Sequence, residues 1–215
     1  MNAAADSLRQ RAKLTTRAAL ASVASALLLL LLKAYAALAT GSVAMLGSLA
    51  DTGLDLIASL VTLFGVRVAA IPADREHRFG HGKAEALAAL AQVVLISISA
   101  IGIGWRAVER LLQGERTAHA DYGIAVSAVA ILVTLFLVAY QRSVVRRTGS
   151  VAIRTDNVHY QSDLYLNLSV ISALALDQYA GFGSADPLFG LGIALWLIRG
   201  AWRASSQALD QLMDR

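Results

Sequence analysis

The sequence predicts an all-α membrane protein, a bundle of six transmembrane helices with both termini in the cytoplasm. Hydrophobic residues make up 57% of the 215 residues and charged residues only 16%, and the mean hydropathy is positive. This composition is typical of a chain that crosses a bilayer several times. In lipid every backbone polar group must be paired within its own segment, which favours helices over an open sheet.

Six apolar segments account for nearly the whole chain. Each is long enough for one membrane span, and their predicted bounds are 14–39, 42–69, 84–112, 120–147, 151–178 and 186–211. We therefore expect one six-helix transmembrane domain over 14–215, preceded by a polar cytoplasmic segment over 1–13. Because that segment is basic and a long spanning run follows it, no cleavable signal is predicted.

Basic residues indicate the orientation of the predicted bundle. The 19 Lys and Arg residues would all lie on one side of the membrane, except at most Lys33, Arg106, Arg110 and Arg116. The positive-inside rule places the larger group, and both termini with it, in the cytoplasm. The net charge of +4 is thereby explained by the ends of the segments, so no nucleic-acid partner is predicted.

Two aspartates lie inside the second apolar segment. Asp51 and Asp55 occur in SLADTGLDLIASL, where each would cost about 2.5–3.5 kcal/mol at the centre of a spanning helix. Their four-residue spacing puts both on one helix face, one turn apart, as two ligands of one cation would lie. His159 and Asp163 repeat this spacing in the fifth segment. Three carboxylates and one imidazole predict a site for a divalent transition metal.

Composition narrows the chemistry of this predicted site. The chain has no cysteine, so a metal could be bound only by His, Asp, Glu or backbone oxygen. The alternative is a buried polar cluster that merely holds helices together, although ionisable groups inside membranes usually mark transport pathways. The sequence contains no HExxH, GxSxG or Walker-type motif. Protease, esterase and ATPase chemistry therefore have no support, and we expect that the protein is not an enzyme.

A second group of candidate ligands lies in the loop PADREHRFGHGKAE, between the second and third segments. Asp74, His77 and His81 stand at spacings of three and four, and two of the chain's four histidines fall in this loop. One interpretation is a metal site in the loop. The other is that Pro72 and Asp74 shape a turn and that the histidines are solvated. The spacing alone leaves both interpretations open.

Four stretches in order resemble the cation diffusion facilitator family, particularly its bacterial zinc/proton antiporter branch: SLADTGLDLIASL, PADREHRFGHGKAEALAALAQ, TDNVHYQSDLYLN and ADPLFGLGIALWL. The resemblance implies that the four membrane residues form the transport site and that the three loop residues form a second metal site. It also implies a homodimer, multi-pass in the bacterial inner (plasma) membrane. Most members continue into a cytoplasmic domain beyond the point where this sequence ends.

The expected function is efflux of a divalent metal cation, Zn2+ first and Cd2+ second, in exchange for protons by alternating access. Two alternatives stay open. One is a carrier of the same type for Mn2+ or Fe2+, although such harder ions prefer all-oxygen sites and His159 favours Zn2+. The other is a metal-binding membrane scaffold without turnover. The expected partners are the lipid bilayer, divalent metal ions, protons and a second copy of the chain.

Overall fold

The computed structural model describes residues 3–40, 43–113, 121–180 and 184–213, and these residues are almost entirely helical. No strand occurs in those ranges, which confirms the all-α class. The helices are α1 (Ala3–Thr40), α2 (Val43–Ala69), α3 (Lys83–Gln113), α4 (Asp121–Thr148), α5 (Val151–Ala180) and α6 (Ala185–Leu212).

Four of the described helices contain a stretch that is long and apolar enough to cross a membrane. These stretches are Asp6–Ala39, Ser48–Ala69, Lys83–Gln113 and Val126–Thr148. Helices α5 and α6 are of similar length, at 30 and 28 residues, but their described residues contain no stretch that is apolar enough by the same measure. For those two helices spanning stays a prediction, as does the cytoplasmic position of both termini.

Helix α1 begins earlier than the sequence analysis expected. The sequence predicts that the segment 1–13 precedes the first helix, whereas α1 already begins at Ala3. The reason is local, because alanine, leucine, glutamine, arginine and lysine dominate this segment and all favour a helix. Asp6 lies in the first turn, where a negative charge interacts favourably with the helix dipole. The change from polar to apolar residues therefore shows where the apolar stretch begins, but it does not show where the helix begins.

Small residues set how closely the helices pack. Helix α3 lies against α6, α1 lies against α2, and α5 contacts every other helix of the bundle. Gly65 of α2 approaches Ala88 of α3 so closely that a Cβ atom at Gly65 would overlap the side chain of Ala88. Close backbone approach through glycine and alanine is typical of helix packing in membranes. This contact lets α2, the helix that carries Asp55, pack closely against α3.

The loop between α2 and α3 is held in a defined turn. Gly80 has a φ of +78°, a left-handed conformation that glycine adopts without strain. Its backbone N–H donates to the carbonyl of His77 at 2.9 Å. The carbonyl of His81 in turn accepts from the N–H of Ala84 at 2.9 Å, at the start of α3. These bonds bring the two loop histidines to the same side of the turn.

Candidate metal centres

Helices α2 and α5 bring three candidate ligands together, which we call the membrane cluster: Asp55, His159 and Asp163. The Nε2 atom of His159 lies 3.0 Å from Oδ1 of Asp55 and 3.9 Å from Oδ2 of Asp163. One ligand atom from each residue lies within 4.8 Å of the others. His159 and Asp163 share a face of α5 because they are one turn apart. Two carboxylates and one imidazole arranged in this way can bind a single divalent cation.

Asp51 is not part of the membrane cluster. It is exposed on α2, and its carboxylate is not among the ligand atoms that lie within 4.8 Å of one another. Four residues advance a helix by about 6 Å, so Asp51 lies closer than Asp55 to the start of α2. Helical spacing puts the two aspartates on one face, but it does not make both reach α5. Of the four residues predicted to form one site, three therefore lie close together, and Asp51 lies one helical turn from Asp55.

The three residues of the membrane cluster differ in their exposure to solvent. His159 is only 6% exposed, whereas Asp55 and Asp163 are half-buried. Next to His159, Tyr160 is also buried, and its hydroxyl is 2.7 Å from the Oγ atom of Ser59 on α2. The same hydroxyl donates to the carbonyl of Ser22 on α1 at 3.1 Å. Tyr160 therefore connects α5 to two neighbouring helices at the level of the imidazole.

A fully buried carboxylate near the membrane cluster was missed by the sequence analysis. Asp156, three residues before His159, accepts hydrogen bonds from Ser22 Oγ at 2.6 Å, Gln92 Nε2 at 2.9 Å and Gln141 Nε2 at 2.6 Å. These donors lie on α1, α3 and α4, so one side chain connects three helices to α5. The rule that intramembrane acidic residues are functional could have found it, but Asp156 lies near the predicted start of its segment.

Gln92 extends this network to α2. Its Nε2 atom also donates to the carbonyl of Ala58 at 3.1 Å and to the hydroxyl of Thr62. All the donors to Asp156 are neutral, and together they satisfy a carboxylate that would otherwise be costly to bury. The network fixes the rotation of α5 about its own axis, and this rotation directs His159 toward Asp55.

The three loop residues also meet, and we call them the loop cluster: Asp74, His77 and His81. The Nδ1 atom of His77 lies 3.4 Å from Asp74 Oδ1, and the Nε2 atom of His81 lies 3.6 Å from Asp74 Oδ2. The two imidazole rings are 4.4 Å apart between centroids. One ligand atom from each residue lies within 4.8 Å of the others.

Asp74 shapes the turn and faces both histidines at once. Its Oδ1 atom accepts the backbone N–H groups of His77 at 2.6 Å and Glu76 at 3.0 Å, the bonding pattern of a side chain that caps its own turn. The N–H of His77 holds the pKa of the Asp74 carboxyl below its usual value. Asp74 is therefore ionised at neutral pH. The two interpretations of the loop are compatible, because the turn itself brings the candidate ligands together.

Comparisons with known proteins show which proteins this chain is similar to. A family model described as the cation efflux transmembrane domain matches residues 19–213. The chain is 46% identical over 203 residues to the cation-efflux pump FieF of Cronobacter sakazakii, covering 94% of this chain and 67% of that protein. It is 48% identical over 206 residues to FieF of Serratia proteamaculans, covering 96% and 68% respectively. For FieF of Yersinia pestis the identity is 47% over 206 residues, with the same coverage.

Proposed function

The chain belongs to the cation efflux family, and from that premise we propose that it exports Zn2+, and Cd2+ as a second substrate, in exchange for protons. A member of this family moves a cation rather than converting a substrate, so the protein is a transporter and not an enzyme. Long apolar helices make it an integral membrane protein. We propose the bacterial inner membrane as its location, with both termini in the cytoplasm.

The membrane cluster is the observation that carries this proposal. Its two carboxylates balance the charge of a divalent cation, and the imidazole of His159 adds a softer donor than oxygen. Zn2+ prefers four ligands, and we propose Asp51 as the fourth. It lies one turn from Asp55 and is exposed, so its side chain is free to change rotamer and approach a bound ion.

Proton exchange follows from the same residues in this proposal. A metal-bound imidazole must be neutral and a metal-bound carboxylate must be ionised, so metal and protons compete for the membrane cluster. Metal loading would release protons on one side of the membrane, and protons would reload the empty ligands on the other. Alternating access needs two packings of the bundle that expose one fixed site in turn.

The loop cluster serves in this proposal as a second metal site at the cytoplasmic surface. Asp74 is ionised, and two imidazoles lie next to it, so the loop offers a ligand set that Zn2+ accepts. The cluster lies in an exposed loop outside the helices. Its role would be to gather metal or to order the loop. The partner of the chain would be a second copy of itself, as the family resemblance implies.

Uptake into sealed vesicles tests the proposal. The purified chain would be reconstituted into liposomes that contain a metal-sensitive dye and an imposed pH gradient, acidic inside. We expect Zn2+ to accumulate faster than Mn2+ or Fe2+ and the uptake to collapse when an ionophore dissipates the gradient. Protein-free liposomes are the control. Binding without uptake would identify a scaffold, faster Mn2+ or Fe2+ entry would favour the alternative carrier, and uptake that ignores the gradient would exclude proton exchange.

A further inference from the structure

We propose that Lys33 is a built-in cation that competes with the transported metal for the negative charge of the membrane cluster and so promotes metal release. This inference rests on the proposed function, because it concerns the same site. Lys33 is the only charged residue between Arg17 and Thr40, in the apolar stretch AALASVASALLLLLLKAYAALAT of α1. A lysine there is costly in lipid, which points to a role.

The ammonium group of Lys33 is held against α2. Its Nζ atom donates to Thr52 Oγ1 at 2.6 Å and lies 3.5 Å from the carbonyl oxygen of Ser48. Thr52 is buried and precedes Asp55 by three residues, which makes the two side chains neighbours on one helix face. The ammonium group thus lies against the face of α2 that carries Asp55.

A structural role alone accounts poorly for this placement. A lysine in a spanning helix usually extends toward the nearest membrane surface and keeps its head group in water. Lys33 lies seven residues before Thr40, about 10 Å along the helix, and so has a surface to extend toward. Its head group instead bonds a buried threonine on the neighbouring helix. The side chain is half-buried rather than exposed.

The competition follows from charge. Without metal, the carboxylates of Asp55 and Asp163 form a negative group in a low-dielectric surrounding, and one fixed ammonium compensates part of it. When a divalent cation enters, the same ammonium becomes a like charge next to it and weakens its binding. Transport requires an ion that enters and also leaves, so a site that binds too tightly would stall. In this scheme Lys33 lowers the affinity for the metal and thereby raises the rate of turnover.

The test compares variants that separate charge from shape. Lys33→Met removes the charge and suits an apolar helix, Lys33→Gln removes it but keeps a donor for Thr52, and Lys33→Arg keeps the charge. We expect Met and Gln to bind Zn2+ about tenfold more tightly and to show slower maximal uptake, whereas Arg stays close to the unmodified chain. Affinity is measured by competition with a chelating dye in nanodiscs at one pH, and uptake is measured in vesicles.

The outcomes distinguish the two proposals. Unchanged or weaker Zn2+ affinity in both the Met and the Gln variant overturns the role of Lys33, whatever their thermal stability. If the unmodified chain takes up Zn2+ at the same time, the proposed function stands and only this inference fails. If the unmodified chain takes up no metal, the transport proposal fails. The affinity measurement then still shows whether Lys33 weakens metal binding. Thr52→Val is the companion variant, and an affinity change smaller than that of Lys33→Met is expected because the charge remains.

Discussion

The loop cluster and the membrane cluster use the same two residue types but depend on different parts of the structure. In the loop cluster, side chains seven positions apart meet through one turn, and the Asp74 side chain is 50% exposed. In the membrane cluster, His159 and Asp55 are 104 positions apart, and the His159 side chain is 7% exposed. Water screens the exposed Asp74 of the first cluster, whereas packed helices shield the buried His159 of the second from water. A local turn can gather metal, but only the bundle can hold an ion inside the membrane barrier.

The largest expected effect is loss of an anionic ligand from the membrane cluster. Asp55→Ala or Asp163→Ala is expected to lower vesicle uptake of Zn2+ by more than about 100-fold while the protein stays folded, because transport then lacks a charge that balances the cation. Asp210→Ala, an exposed aspartate of α6, is the matched control. Asp51→Ala tests the proposed fourth ligand, and near-normal uptake by this variant would leave three protein ligands. Near-normal uptake by Asp55→Ala would contradict the membrane cluster as the transport site.

Ligand chemistry gives the next largest effect. His159→Asp turns the membrane cluster into an all-oxygen site, which suits harder ions, so the preference for Zn2+ over Mn2+ in competition uptake is expected to fall by roughly tenfold. His81→Asp introduces the same substitution in the loop cluster, where His77 remains as a nitrogen ligand, and is the control. We expect no change in transport preference there, because the loop lies outside the barrier. A shift of equal size in both variants would mean that selectivity is set before the ion reaches the bundle.

Removing the loop imidazoles is expected to have a smaller effect on transport. His77→Ala with His81→Ala should lower the number of metal ions bound per chain while uptake falls by less than about threefold. Elemental analysis of metal-loaded protein and vesicle uptake measure the two effects separately. Glu76→Ala, in the same loop but outside the cluster, is the control. Complete loss of uptake in the double variant would show that transport requires the loop cluster.

The smallest expected effect concerns pH in the loop. The N–H of His77 stabilises the ionised form of Asp74 and lowers the pKa of that carboxyl, so the turn is stabilised above the usual pKa of aspartate. This stabilisation is lost as pH falls through the lowered value in the folded protein. Carboxyl-carbon NMR of the labelled chain should therefore place the Asp74 midpoint below that of a free aspartate. A midpoint at or above the usual value would show that the turn does not form in solution.

The sequence was sufficient for the fold class, the family and the pairing of α2 with α5. Four-residue spacings of Asp and His in two apolar segments predicted that Asp55, His159 and Asp163 would meet, because helix periodicity is a local property. The exclusion of Asp51 from contact could not be predicted. It depends on how α2 is positioned against its neighbours, for example by the contact of Gly65 with Ala88, and that contact is tertiary.

The buried network around Asp156 could not be predicted from the sequence, for a related reason. Ser22, Gln92 and Gln141 are unremarkable polar residues in three separate segments, and only packing shows that all three donate to Asp156. Charge counting places Lys33 on the less basic side of the membrane, but it does not predict which residues its ammonium group contacts. Spacing predicts which residues share a helix face. It does not predict which residue on another helix that face meets.

The network around Asp156 also has a mechanical consequence. It attaches α5 to its neighbours near one end. A tilt of α5 about Asp156 would therefore move residues far from Asp156 more than residues close to it. A tilt of about 10° moves Asp163, about 10 Å away along the axis, by only about 2 Å. The same tilt moves Ala180, about 36 Å away, by about 6 Å. Such a tilt would displace the far end of α5 while the candidate ligands His159 and Asp163 keep nearly the same place.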